Sequence, residues 1–219
     1  MAAVSLAALA ACSVEPRAAQ QRFGATGQLI ALSGAGAGAR YACITCHGLE
    51  GEGDGSGVPR LAGLGAGYLD RQLEAYADGR RSHPEMSWIA QRLTGQQRLA
   101  VAHHYAAMRE PMGEAGSPLP APTLYTDGDA ARGIPACASC HGLAGEGLGP
   151  ANPPLARQPP AYLANQIEQW RRAKRRNDPG GVMLAISQRL SGREAAALAA
   201  YASALSGDAR RPGSAAASR

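Results

Sequence analysis

A five-residue pattern that occurs twice constrains this chain more than any other feature. Cys43-Ile-Thr-Cys46-His47 returns as Cys137-Ala-Ser-Cys140-His141, with Cys137 following Cys43 by 94 residues (137 − 43). The offset persists well beyond the motif, which marks an internal duplication. His47-Gly-Leu-Glu-Gly-Glu-Gly53 matches His141-Gly-Leu-Ala-Gly-Glu-Gly147, Pro59 and Leu61 match Pro153 and Leu155, and Tyr68, Leu69, Gln72 and Leu73 match Tyr162, Leu163, Gln166 and Ile167. Met86-Ser-Trp-Ile-Ala-Gln-Arg-Leu93 pairs with Met183-Leu-Ala-Ile-Ser-Gln-Arg-Leu190 at an offset of 97 (183 − 86), so the second copy carries three extra residues before its Met. The run Arg171 to Gly181, loop-like at its end, is the place for them. A chain of 219 residues built this way predicts two small domains rather than one large one.

C-x-x-C-H is the attachment pattern of haem c: thiols one helical turn apart add to the two vinyl groups, and the adjacent His reaches the iron. Other paired-cysteine chemistries fit less well. A thioredoxin-like pair belongs beside a βαβ pattern, which is absent. A four-Cys zinc site spaces its pairs by about 15 to 20 residues, whereas Cys46 and Cys137 are 91 apart (137 − 46). A disulfide within each pair is the remaining rival in an exported protein. Composition leans the same way, since only 5% of residues are aromatic and there is a single Phe, leaving each half short of large core side chains. Burying a few hundred Å² of porphyrin at ~25 cal/mol per Å² contributes on the order of 10 kcal/mol before ordering costs. Two covalently attached haem c groups are expected.

The second axial ligand decides whether such an iron moves electrons or binds a small molecule. The second copy holds no His besides His141, no spare Cys and one Met, Met183, whose counterpart is Met86. His47 with Met86, and His141 with Met183, are therefore the candidate iron ligands. His83, His103 and His104 offer a bis-His alternative for the first iron, at the expense of the repeat symmetry. Met108 and Met112 have no Met equivalents in the second copy and are expected to pack or to lie in the linker. The glycines after each motif are expected to let the backbone approach the haem edge. Pro59 and Pro153 end those loops, either as rigid turns or with a nearby carbonyl accepting the axial His Nδ1 proton.

Apolar residues recur at helical spacing in Tyr68 to Tyr76, Gln96 to Met108, Tyr162 to Trp170 and Arg193 to Leu205. Thr94-Gly-Gln-Gln97 and Ser191-Gly-Arg-Glu194 resemble capping boxes. The fold class is all-α, with domains at 23–110 and 123–206, a Pro/Gly-rich linker at 111–122 and a disordered tail at 207–219. Residues 1–22 form a leader. Its run to Leu9-Ala10-Ala11-Cys12 resembles a lipoprotein signal that would lipidate Cys12, the other reading being a plain secretory signal with an incidental Cys. No other stretch approaches the ~18 to 20 apolar residues of a spanning helix. Net charge is +5 with pI ≈ 9.2, but no nucleic-acid motif and no aromatic interleaving accompany it, so nucleic acid is not a partner. The Arg80-Arg81 pair and the Arg171-to-Arg176 run read as solvated helix ends, or as partners for haem propionates or an acidic docking protein. Tyr76 and Trp170 are expected to be haem-packing core.

From Phe23 to Leu205 the chain resembles the dihaem class I cytochromes c of the cytochrome c₄ type, most closely in Gly128-Asp-Ala-Ala-Arg-Gly-Ile-Pro-Ala-Cys137 and the Met183 segment. The resemblance implies tandem class I cytochrome c domains, His/Met ligation by His47 and Met86 and by His141 and Met183, and electron transfer from a quinol-oxidising complex to a terminal oxidase. It implies a periplasmic carrier rather than an enzyme. Ser33-Gly-Ala-Gly-Ala-Gly-Ala-Arg40 departs from the family pattern and leaves the first helix open. The competing roles are a cytochrome subunit docked to a dehydrogenase or oxidase, and a dihaem peroxidase or thiosulfate-oxidising enzyme, which needs a displaceable iron ligand.

Overall fold

The structure is a computed structural model that describes residues 26–110 and 119–208. The expected leader at 1–22 with Cys12, Met112 and most of the linker, and the tail from 209 onward lie outside the described residues.

Each half uses the same helical plan. In the first, α1 (26–33) leads through two short 3₁₀ turns, Ala35–Ala37 and Ala39–Tyr41, to the single-turn α2 (Ile44–His47). The segment left open by the sequence is thus a helix followed by 3₁₀ turns. Then come α3 (Ala66–Ala77), α4 (Pro84–Gln91) and α5 (Gly95–Ala107). The second half repeats this with α6 (Thr123–Thr126), a 3₁₀ turn at Ala130–Arg132, α7 (Ala138–His141), α8 (Pro160–Arg171), α9 (Val182–Arg189) and α10 (Gly192–Ala204). The three added residues fall before α9, around a 3₁₀ turn at Pro179–Gly181. Among the described residues there is no strand, only the isolated bridges Arg81 to Arg175 and Asp129 to Ile134.

Both capping boxes form. Thr94 accepts from Gln97 N while the Gln97 side chain accepts from Thr94 N, and Ser191 with Glu194 does the same. Each cap is worth roughly 1 kcal/mol and sets the start of α5 or α10.

Helix α3 packs on α4 and α5, as α8 packs on α9 and α10. The buried clusters are thin. The first comprises Ile30, Ala31, Leu64, Leu69, Leu93, Ala100, Val101, Ala102 and Tyr105; the second comprises Tyr125, Ile134, Ala138, Leu163, Leu190, Leu198, Ala199 and Ala202. Neither includes Phe or Trp, as the aromatic-poor composition requires. Met108 packs against the first cluster, as expected.

Candidate haem sites and the junction between them

Single-turn helices α2 and α7 present the motif residues. His47 N donates to Cys43 O and His141 N to Cys137 O, both at 2.9 Å, which brings the i and i+3 thiols to one face with the His beside them. The four motif cysteines form no disulfide, with Cys46 exposed and the other three half-buried. Burial pushes the Cys43 and Cys137 thiols up to about 11, so both are protonated at neutral pH.

The loop after each motif folds back on it. Gly53 N donates to His47 O and Gly147 N to His141 O, each at 2.8 Å, while Leu61 N and Leu155 N reach Gly51 O and Gly145 O. This brings Pro59 O within 3.0 Å of His47 Nδ1, and Pro153 O within 3.0 Å of His141 Nδ1. A carbonyl only accepts, so Nδ1 carries the proton in both rings and the Nε2 lone pair is left for a metal. Burial is the main cause lowering the pKa of His47 and His141, opposed by those carbonyls. Both imidazoles are therefore neutral donors at pH 7.

Two of the glycines are required by the loop itself. Gly53 (φ +80) and Gly147 (φ +77) hold left-handed backbone, where a Cβ would stand 2.5 Å from Val58 O and 2.6 Å from Asn152 O. The close neighbour at both is the loop's own backbone.

In the second half, Cys137, Cys140, His141 and Met183 line one cavity of ≈ 370 Å³. Trp170 and Ile186 line it from α8 and α9, while Leu64, Tyr68 and Gln72 reach it from the first half. Met183 stands in the first turn of α9, whose entry uses two left-handed glycines, Gly180 and Gly181, and Asp178, which accepts from Leu184 N. Met86 takes the same place in α4, entered through Pro84 and capped by His83, whose Nδ1 lies 3.5 Å from Met86 N and 3.2 Å from Glu85. His103 and His104 lie on α5.

The sequence missed the junction between the halves. Of the readings the sequence leaves for Arg81 and Arg175, a solvated helix end or a partner for haem propionates or an acidic protein, the first fails, since they are 4% and 3% exposed. Arg81 donates to Tyr162 Oη at 2.9 Å, Gln166 Oε1 at 2.7 Å and Gln72 Oε1 at 3.0 Å. Arg175 mirrors it, donating to Tyr68 Oη at 3.4 Å, Gln72 Oε1 at 2.9 Å and Gln166 Oε1 at 2.9 Å. Arg81 also lies over the Tyr76 ring and Arg175 over Trp170, at 4.5 and 3.9 Å, so both aromatics hold guanidinium groups, Tyr76 buried and Trp170 on the cavity wall. The signal was present, because Arg81 and Arg175 are themselves 94 apart (175 − 81).

Among the described residues, neither buried guanidinium is paired with a carboxylate. Two buried positive charges without anions are costly. Burial raises the Tyr162 phenol pKa, but Arg81 and Arg175 together override it and hold it below the usual tyrosine value. A haem meets what is missing on both counts: apolar bulk for the cavity and two carboxylates for a cationic wall. The donor set of two thiols, a neutral imidazole and a thioether suits it too.

Comparison with known proteins agrees. The family model described as Cytochrome c matches residues 34–108, and that described as Cytochrome C oxidase, cbb3-type, subunit III matches 127–201. A thiosulfate dehydrogenase electron acceptor of Stutzerimonas stutzeri strain A1501 is 40% identical over 188 residues, covering 83% of this chain and 87% of its own. Cytochrome c4 of Pseudomonas aeruginosa is 34% identical over 185 residues, covering 82% and 92%. The structure of reduced recombinant cytochrome c4 from Pseudomonas stutzeri superposes with TM-score 0.69 at 28% identity over 83% of this chain and 97% of that one. The thiosulfate dehydrogenase TsdBA from Marichromatium purpuratum gives TM-score 0.75 at 38% identity, covering 86% of this chain but 42% of that one.

Proposed function

The chain belongs to the cytochrome c₄ family of dihaem class I cytochromes, carrying two covalently bound haem c groups in tandem domains, and from that premise we propose that it shuttles electrons between periplasmic redox proteins without catalysing a reaction of its own. Each haem, when bound, supplies a one-electron Fe(III)/Fe(II) couple. The observation that carries the reading is the convergence of two cysteines, a neutral His and a Met on one cavity in the second half, with the same residue types at the repeat-related positions of the first.

In this proposal Cys43 and Cys46 tether the first haem and Cys137 and Cys140 the second. His47 and Met86, and His141 and Met183, are the axial ligands. Pro59 O and Pro153 O hold each imidazole in the Nδ1–H tautomer and keep Nε2 aimed at the metal. Met/His ligation leaves no open position for a substrate and raises the reduction potential over bis-His ligation, which supports a carrier over a peroxidase. The domain limits at 23–110 and 123–206 and the leader with a lipidated Cys12 belong to the same proposal. Among the described residues no helix is long and apolar enough to cross a membrane.

The finer role is the partner. A donor of the thiosulfate dehydrogenase kind is supported by the acceptors of that name among the relatives, while a route from a quinol-oxidising complex to a terminal oxidase is what the cytochrome c₄ resemblance implies. A permanently docked subunit is the second reading, favoured by the similarity to part of a longer thiosulfate dehydrogenase chain. Two measurements on the matured protein test this. A reduced-minus-oxidised spectrum is expected to give two haems per chain, both low-spin and retained through acid-acetone extraction. Thiosulfate plus a thiosulfate dehydrogenase is expected to reduce both haems. A colourless sample, or pigment that washes out, overturns the reading.

A further inference from the structure

The backbone crossing that buries Arg81 and Arg175 also gathers exposed cations from both halves onto one face. Arg176 N donates to Arg80 O at 2.7 Å, and Ser82 N to Lys174 O at 3.2 Å. These are symmetry mates, since Arg80 and Lys174, like Ser82 and Arg176, are 94 apart (174 − 80, 176 − 82). The side chains of Arg80, Lys174 and Arg176 are exposed there, with Arg171 and Arg172 alongside. Three carboxylates answer the five cations: Asp78 pairs with Arg80, Glu74 lies near enough to act on Arg80 as well, and Glu168 pairs with both Arg171 and Arg172. The next acid, Asp178, is turned to Trp170 Nε1 and Leu184 N. Among the described residues, Lys174 and Arg176 have no carboxylate partner.

We infer that this waist, centred on Arg80, Lys174 and Arg176, is the docking surface for a redox protein with an acidic face. The inference rests on the carrier reading above. Charge is the first reason: a patch left net positive by Lys174 and Arg176 captures an oppositely charged protein at a rate that depends on salt. Position is the second. Lys174 and Arg176 flank Arg175, which with Asn177 lines the second haem cavity, and Arg80 flanks Arg81, so a partner seated here lies beside the seam between the two redox sites. Chemistry is the third. None of the large exposed apolar side chains lies in 78–82 or 171–176, so the patch lacks the apolar anchors of a bilayer-inserting surface.

The test uses the matured dihaem protein and two reductants. Reduced plant-type [2Fe–2S] ferredoxin is an acidic protein that passes one electron per encounter to a ferric haem and is itself oxidised, with no proton or ligand moved. The methyl viologen cation radical delivers one electron without docking. The triple variant R80E/K174E/R176E is expected to slow the ferredoxin reaction at least tenfold at low salt, abolish its salt dependence and leave the viologen rate and haem spectra unchanged. The milder K174Q/R176Q should slow it about threefold. A distant triple of equal charge change, R40E/R92E/R109E, in which Arg40 and Arg92 lie over Tyr41 and Trp88 rather than at the waist, should slow it less than threefold. Equal slowing by the distant triple means net charge alone acts and overturns the proposal. So does binding of the wild type to phosphatidylglycerol vesicles that the waist reversals abolish while ferredoxin kinetics stay unchanged, which makes the patch a lipid contact. If viologen cannot reduce the haems at all, the carrier reading fails; if it reduces both and ferredoxin ignores the waist reversals, only the docking proposal fails.

Discussion

Arg81 in the first half donates to the phenol oxygen of Tyr162 in the second at 2.9 Å, and Arg175 returns the contact to Tyr68 at 3.4 Å. With Gln72 and Gln166 these residues form a polar seam related by the repeat. Removing one phenol leaves a buried guanidinium N–H short of an acceptor, at about 1–3 kcal/mol. Tyr162→Phe is expected to cost more than Tyr68→Phe, because its bond is the shorter. Urea unfolding of the holoprotein checks this, and the reverse order would count against the seam as a stabilising element.

Met183→Ala is expected to make the second iron high-spin, remove its Met-to-iron charge-transfer absorption and lower its potential, leaving the first site nearly intact. Met86→Ala should do the same at the first. Redox titration with spectral resolution of the two haems reads both, and an unchanged spectrum would remove the substituted Met from the ligand set.

Acid should destabilise the fold at low pH through Glu194, held down to about 2 by Arg132 and the Ser191 cap. Its pKa is depressed in the folded state, so its contribution is complete above its ordinary 4.5 and lost as pH falls from there toward that value. Glu194→Gln should flatten the loss of stability between about pH 5 and 2.5 in urea titrations of the holoprotein, and an unchanged slope would contradict this assignment.

Gly147→Ala should cost about 1–3 kcal/mol, since it places a Cβ in left-handed backbone and 2.6 Å from Asn152 O. Gly149 is also left-handed (φ +73) but has nothing within 4 Å, so Gly149→Ala should cost only about 1–2 kcal/mol. Gly147→Ala should also perturb the second haem spectrum, because the loop carries Pro153 O to His141. Equal thermal shifts and equal spectra for the two variants would separate the loop from the imidazole.

The sequence by itself determined the repeat, the helices that bear it, both capping boxes, the thiol and imidazole donors and the site of the three-residue insertion. Each is written within a few residues: helical period, cap chemistry and motif spacing act over one or two turns. The carbonyls at Pro59 and Pro153 were legible as one of two readings, because the repeat placed a Pro twelve residues after each His.

Tertiary structure alone decided the burial of Arg81 and Arg175, the joining of Arg60 to Gln158 across the halves at 3.1 Å, and the close backbone approach at Gly53 and Gly147. A buried Arg and a solvated one look alike in sequence when both end a helix. Which it becomes depends on whether a second surface, encoded 94 residues away, supplies acceptors and excludes water. That complementarity exists only once the halves are docked.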